Sequence, residues 1–70
     1  MAITYNKLFK LMIDKKITSS KLASESQISL NIITRLRRNQ YVSLKAIEKI
    51  CKTLDCSVDD ILEFTEENEL

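Results

Sequence analysis

The sequence contains no glycine, no proline and no histidine, and only two of its 70 residues are cysteine. Each absence excludes something. Without Gly or Pro, every helix has to begin and end on Ser, Thr, Asn or Asp, whose short polar side chains cap helix ends or tolerate left-handed backbone. The chain therefore reads as all-α. Without His, and with Cys51 and Cys56 lacking a third thiol, no zinc site can be completed, so both cysteines are expected to be reduced and buried. The same lack of His, with no paired carboxylates at an evident cleft, leaves no catalytic constellation; neither an enzyme nor a cofactor is expected. No apolar run approaches the roughly 18 residues of a membrane span, and MAITYNKLFK lacks the basic-then-apolar order of a signal peptide. The expected location is the cytoplasm, with no membrane partner.

What is present is a small hydrophobic core and an uneven charge. In a chain of this length folding withdraws only about 60% of the unfolded surface from water, which leaves little room for a deep pocket. Residues 1–45 carry nine Lys or Arg against Asp14 and Glu25, a net +7, and the remainder carries Lys49 and Lys52 against eight acids, a net −6. The overall +1 thus hides a basic end suited to a polyanion and an acidic end suited to solubility or to a protein partner.

Apolar spacing gives five helices. Tyr5, Leu8, Phe9, Met12 and Ile13 share one face of a helix over residues 4–16. Thr18 caps a second, short helix with Leu22 and Ala23 inward, and Ser29 caps a third with Ile33 and Leu36 inward, after a break at Ser26-Gln27-Ile28. Ser43 caps a fourth with Leu44, Ile47, Ile50, Cys51 and Leu54 on its inner side, and Asp55 ends it in a left-handed conformation. Ser57 to Asp60 resembles a capping box that opens a fifth helix carrying Val58, Ile61, Leu62 and Phe64. Residues 1–64 form the domain; residues 65–70, TEENEL, form an acidic tail.

The third helix carries the chemistry. At about 100° per residue, Ile33 and Leu36 face the core while Asn31, Thr34, Arg35 and Arg38 face away, with Leu30 at the exposed start and Ile32 between the two sides. From Gln27 through Lys45 there is no acid. The DNA major groove admits one helix and presents paired hydrogen-bonding sites: Asn bonds bidentately to adenine, Arg to guanine, and apolar groups meet the thymine methyl. Leu30, Asn31 and Arg35 are thus placed to read bases of double-stranded DNA, with Thr34 on the same outward side, and Arg38 lies near the backbone.

The stretch ITSSKLASESQISLNIITRLRRNQYVSLKAIEKICKTLDCSVDDIL resembles the lambda-repressor-like, or XRE-type, helix-turn-helix domain of phage repressors and Cro proteins. The features that carry the likeness are Leu22-Ala23, the turn into Ile28-Ser29, the Ile33 and Leu36 pair, and SLKAIEKICKTLDCSVDDIL as the family's fourth and fifth helices. The resemblance implies a compact five-helix domain that regulates transcription by binding specific DNA sequences, with residues 18–26 as the supporting helix and 29–38 as the recognition helix. It also implies DNA-backbone contacts at Thr18, Ser19, Ser29, Arg37, Arg38, Tyr41, Ser43 and Lys45, aided by free N–H groups at the start of the fourth helix. Five positions depart from the family pattern. Gln27 and Asn39 stand where Gly is usual, and Ser19 stands where Gln often bonds a phosphate. Met12 and Arg37 replace an Arg–Glu ion pair, which leaves Arg37 available for phosphate.

Family members commonly pair two recognition helices about 34 Å apart along the duplex. Here the apolar residues of the fifth element, Val58, Ile61, Leu62 and Phe64, are the candidates for self-contact, giving a homodimer kept weak by like charge. The alternative is an antitoxin-like module on the same fold, whose acidic C-terminal end holds a protein partner.

Overall fold

The helices of this chain end where glycine ordinarily stands, on residues that carry a Cβ. A computed structural model describes residues 2–65, and among these Lys16, Gln27, Asn39 and Asp55 all have positive φ, between 54° and 59°. A left-handed side chain costs about 1 to 2 kcal/mol, less for Asn and Asp, whose side chains bond locally. Helix starts follow the expected chemistry: the hydroxyls of Thr18, Ser29 and Ser43 accept the N–H groups of Lys21, Ile32 and Ala46. Each bond satisfies a donor that has no partner within its own helix.

Four helices result, α1 Asn6–Lys15, α2 Ser19–Ser26, α3 Leu30–Arg37 and α4 Leu44–Leu54, with strands β1 Ala2–Thr4 and β2 Glu63–Thr65 at the two ends. The domain is mostly helical, as the all-α expectation has it, but the expected count of five helices is corrected to four. Helix one begins at Asn6 rather than at residue 4, and the expected fifth helix is a single 3-10 turn at Val58–Asp60. Its start does form as anticipated, with the Asp60 carboxylate accepting from the Ser57 N–H and hydroxyl at 3.1 and 3.2 Å. Beyond Ile61 the backbone instead pairs antiparallel with β1, Ile3 lying opposite Phe64. A segment this short gains more of its hydrogen bonds from a waiting strand than from one further helical turn.

Leu8, Met12, Leu22, Ile33, Leu36, Ile47, Ile50 and Leu54 form the core, closed at one end by Ile3, Tyr5 and Ile61. Two residues expected inside lie outside: Ile13 is 75% exposed and Leu44 82%. Ile13 sits about 100° round from buried Met12, past the edge of the packed stripe. Leu44 opens α4 and lines a surface groove with Tyr41 and Val58. Cys51 and Cys56 are free thiols but only half-buried. Burial pushes both upward, Cys56 to about 11 with neighbouring Cys51 contributing.

Two polar ties fix the helices. Buried Ser26 donates to the Thr53 hydroxyl at 3.0 Å, which donates to the Lys49 carbonyl at 2.9 Å, joining α2 to α4. Tyr5 is enclosed, its hydroxyl donating to the Gln40 carbonyl at 2.9 Å while its N–H donates to Asn39 Oδ1 at 3.1 Å. Burial raises the pKa of this phenol. The start of α1 is thereby fastened to the turn that follows α3. Replacing Tyr5 with Phe keeps the packing and removes the hydroxyl, and should lower stability by about 1 kcal/mol in urea titrations; a loss below a few tenths would mean that water replaces the bond without cost.

Candidate nucleic-acid interface

α2 and α3 meet at the turn of residues 27–29. Gln27 enters left-handed geometry and turns its N–H back to the carbonyls of Ala23 and Ser24. Ile28 follows with a bond to the Ala23 carbonyl at 3.0 Å, and Ser29 then caps α3. The angle between the helices is held by Leu22 and Ala23 on one side and Ile33 and Leu36 on the other, all buried. With this inner side fixed, the outer side of α3 has one orientation.

On that outer side Asn31, Thr34 and Arg35 are exposed, and Leu30 is 56% exposed at the helix start. Ile32 is half-buried. α3 itself spans Leu30–Arg37, with Ser29 before it and Arg38 just after it at φ −94°. The Thr34 hydroxyl donates to the Leu30 carbonyl at 3.1 Å, so its hydrogen is committed within the helix. Among the described residues the ion pairs are Lys21–Glu25 at 4.0 Å and Lys52–Glu48 at 3.8 Å. No arginine takes part, so the cations of α3 have no carboxylate partner among the described residues.

The expected backbone contacts fall into separate groups. Ser29, Ser43 and Lys45 line one cleft of about 280 Å³ between the turn and the start of α4, together with Lys49. Lys49 escaped the sequence reading because it stands among acids in the chain, yet its ammonium comes within 3.5 Å of the Gln27 carbonyl. Thr18 and Ser19 lie at the start of α2, in a second cleft with Phe9 and Arg37. Arg37, which the missing ion pair leaves available for phosphate, donates to Ser19 Oγ at 2.6 Å and stacks over the Phe9 ring at 4.6 Å. Tyr41 stands elsewhere, in an apolar groove of about 200 Å³ with Val42, Leu44, Val58, Leu62 and Phe64.

Of the residues expected to make self-contact, Phe64 is 60% exposed and Val58 is also exposed, but Ile61 is fully buried against its own chain and presents nothing to a second copy. Leu62 is half-buried. Residues 66–70, which include Leu70 and most of the acidic tail, lie outside the described residues. No three His, Cys, Asp or Glu side chains gather as a metal site among the described residues. No helix among them is long and apolar enough to cross a membrane.

A supporting helix, a tight turn and a second helix with an acid-free polar face define a helix-turn-helix domain. The chain belongs to the Cro/C1-type HTH DNA-binding domain family, matching it over residues 7–67. Its structure is similar to the crystal structure of the transcriptional regulator VanUg, form II, with a TM-score of 0.84 and 35% identity over 89% of this chain and 83% of that one. No curated protein sequence matches it.

Proposed function

We propose that this protein is a sequence-specific transcriptional regulator that inserts α3 into the DNA major groove. The carrying observation is the outer face of α3, where Leu30, Asn31, Thr34 and Arg35 combine donors and apolar groups with no acid nearby. Asn31 and Arg35 are the bidentate readers of adenine and guanine, and Leu30 and the Thr34 methyl meet thymine methyls. Thr18, Ser19, Ser29, Arg37, Arg38, Ser43 and Lys45 hold the phosphates on either side, with Lys49 joining the Ser29 and Ser43 group. The likeness to a transcriptional regulator supports the same reading, and the cytoplasm is where such a protein would act.

Selecting bound duplexes from a random pool identifies the preferred site. On that site Asn31→Ala and Arg35→Ala should each weaken binding by about 1 to 3 kcal/mol and relax one base position, whereas Arg38→Ala should weaken cognate and scrambled duplexes alike. Equal losses on both duplexes for Asn31 and Arg35 would remove them from base reading.

Two copies would bind a palindromic site as a weak homodimer, in keeping with the spacing of successive major grooves. The groove lined by Tyr41, Leu44, Val58, Leu62 and Phe64 supports this pairing through its exposed apolar surface, with Tyr41 shared between self-contact and the DNA backbone. A complex of two chains per palindromic duplex is the expected stoichiometry. A saturated one-to-one complex would exclude it.

A further inference from the structure

An arginine near DNA is usually treated as a loose cation, but Arg37 is held on two sides. Its guanidinium lies 4.6 Å above the Phe9 ring, and one terminal nitrogen donates to Ser19 Oγ at 2.6 Å. Neither partner neutralises it. The cleft around it is lined by Phe9, Met12, Ile13, Ile17, Thr18 and Ser19, with no carboxylate. An aromatic face and a hydroxyl hold the guanidinium in place while leaving its charge whole, and most of its five N–H donors remain unused. The Ser19 hydroxyl accepts from Arg37 and keeps its own hydrogen to donate.

Position along α3 gives this assembly a direction. Arg37 follows Leu30 by seven residues, so the two lie within about 20° of each other around the helix axis, on the flank of the reading face that looks toward the start of α2. A phosphate beside that flank would meet a guanidinium already oriented toward it. An unrestrained arginine loses rotamer freedom when it grips a phosphate, and one fixed beforehand loses less.

We infer that Phe9 is a positioning residue for DNA binding, holding Arg37 with Ser19 as a preformed clamp for one backbone phosphate. This rests on the DNA-binding reading above. Ser19, shorter than the Gln usual at its position, is extended by the arginine it anchors.

The test measures binding of the full chain to cognate and scrambled duplexes across a salt series, for wild type, Phe9→Leu, Phe9→Tyr, Arg37→Gln and the Phe9→Leu/Arg37→Gln double variant. Arg37→Gln should weaken both duplexes by about 5- to 10-fold and flatten the slope of log affinity against log salt by about 1, one phosphate contact being lost. Phe9→Leu, which keeps an apolar side chain of similar size, should weaken both by about 3-fold with the salt slope unchanged. Phe9→Tyr should restore wild-type affinity. In the double variant the Phe9 effect should vanish, because there is no guanidinium left to position. Losses that multiply in the double variant, or a Phe9→Leu change that lowers the melting temperature and leaves binding untouched, would make Phe9 a packing residue and overturn the clamp. A wild-type chain that binds no duplex at all would overturn the DNA-binding reading itself, and the clamp with it.

Discussion

Truncating Leu36 to Ala is expected to cost about 2 to 5 kcal/mol, since a fully buried leucine loses both its transfer energy and the packing around the cavity it leaves. Leu36 has no exposed surface and belongs to the shared core. A domain of this size has only about 4 to 10 kcal/mol of stability in total, and a loss of about 3 kcal/mol lowers the melting temperature by roughly 12 to 24 °C. The informative control is Ile13→Ala, on a residue that the apolar spacing places inside and the structure places outside. It should change stability by less than about 0.5 kcal/mol. Thermal melts of the two variants separate them, and comparable losses would mean that Ile13 is covered in solution.

Affinity for DNA is expected to fall about 1,000-fold between 50 and 200 mM salt. The expectation follows from the proposed interface: about six phosphates neutralised by the basic groups of α2, α3 and the start of α4 release their counterions, giving a slope near −5 in log affinity against log salt. Concentration of the charge in one half makes the number specific. A slope shallower than about −2 would show that the basic half does not face the phosphates.

Local chemistry was readable in the sequence wherever it is self-contained. Thr18, Ser29 and Ser43 cap helices because a hydroxyl followed by a helical turn is sufficient for the bond, and Gln27, Asn39 and Asp55 adopt left-handed geometry at breaks in the apolar spacing. The polar face of α3 was readable for the same reason, since its periodicity depends only on the helix itself. The strands were not. β1 and β2 pair residues about 60 positions apart, and a three-residue strand has too little alternation to signal itself. Val58, Ile61, Leu62 and Phe64 have helical spacing, yet β1 takes the backbone bonds that another helical turn would have used. That spacing makes Ile61 a candidate for self-contact, whereas it closes the core. The Phe9 and Arg37 contact joins α1 to α3, and spacing within either helix carries no information about a partner on the other.

The pairing of β1 with β2 also orders events during synthesis. Each helix can form from neighbours in the chain, but Ile3 emerges from the ribosome about 60 residues ahead of Phe64, the residue that lies opposite it. At about 5 to 20 residues per second, that interval is roughly 3 to 12 s, far longer than the microsecond or so a helix requires to form. For that time β1 has an unpaired edge beside an incomplete core, and Tyr5 can already reach Asn39 and Gln40 once α3 has emerged. The residues of the helix-turn-helix are thus all synthesised before the strand that closes the domain exists.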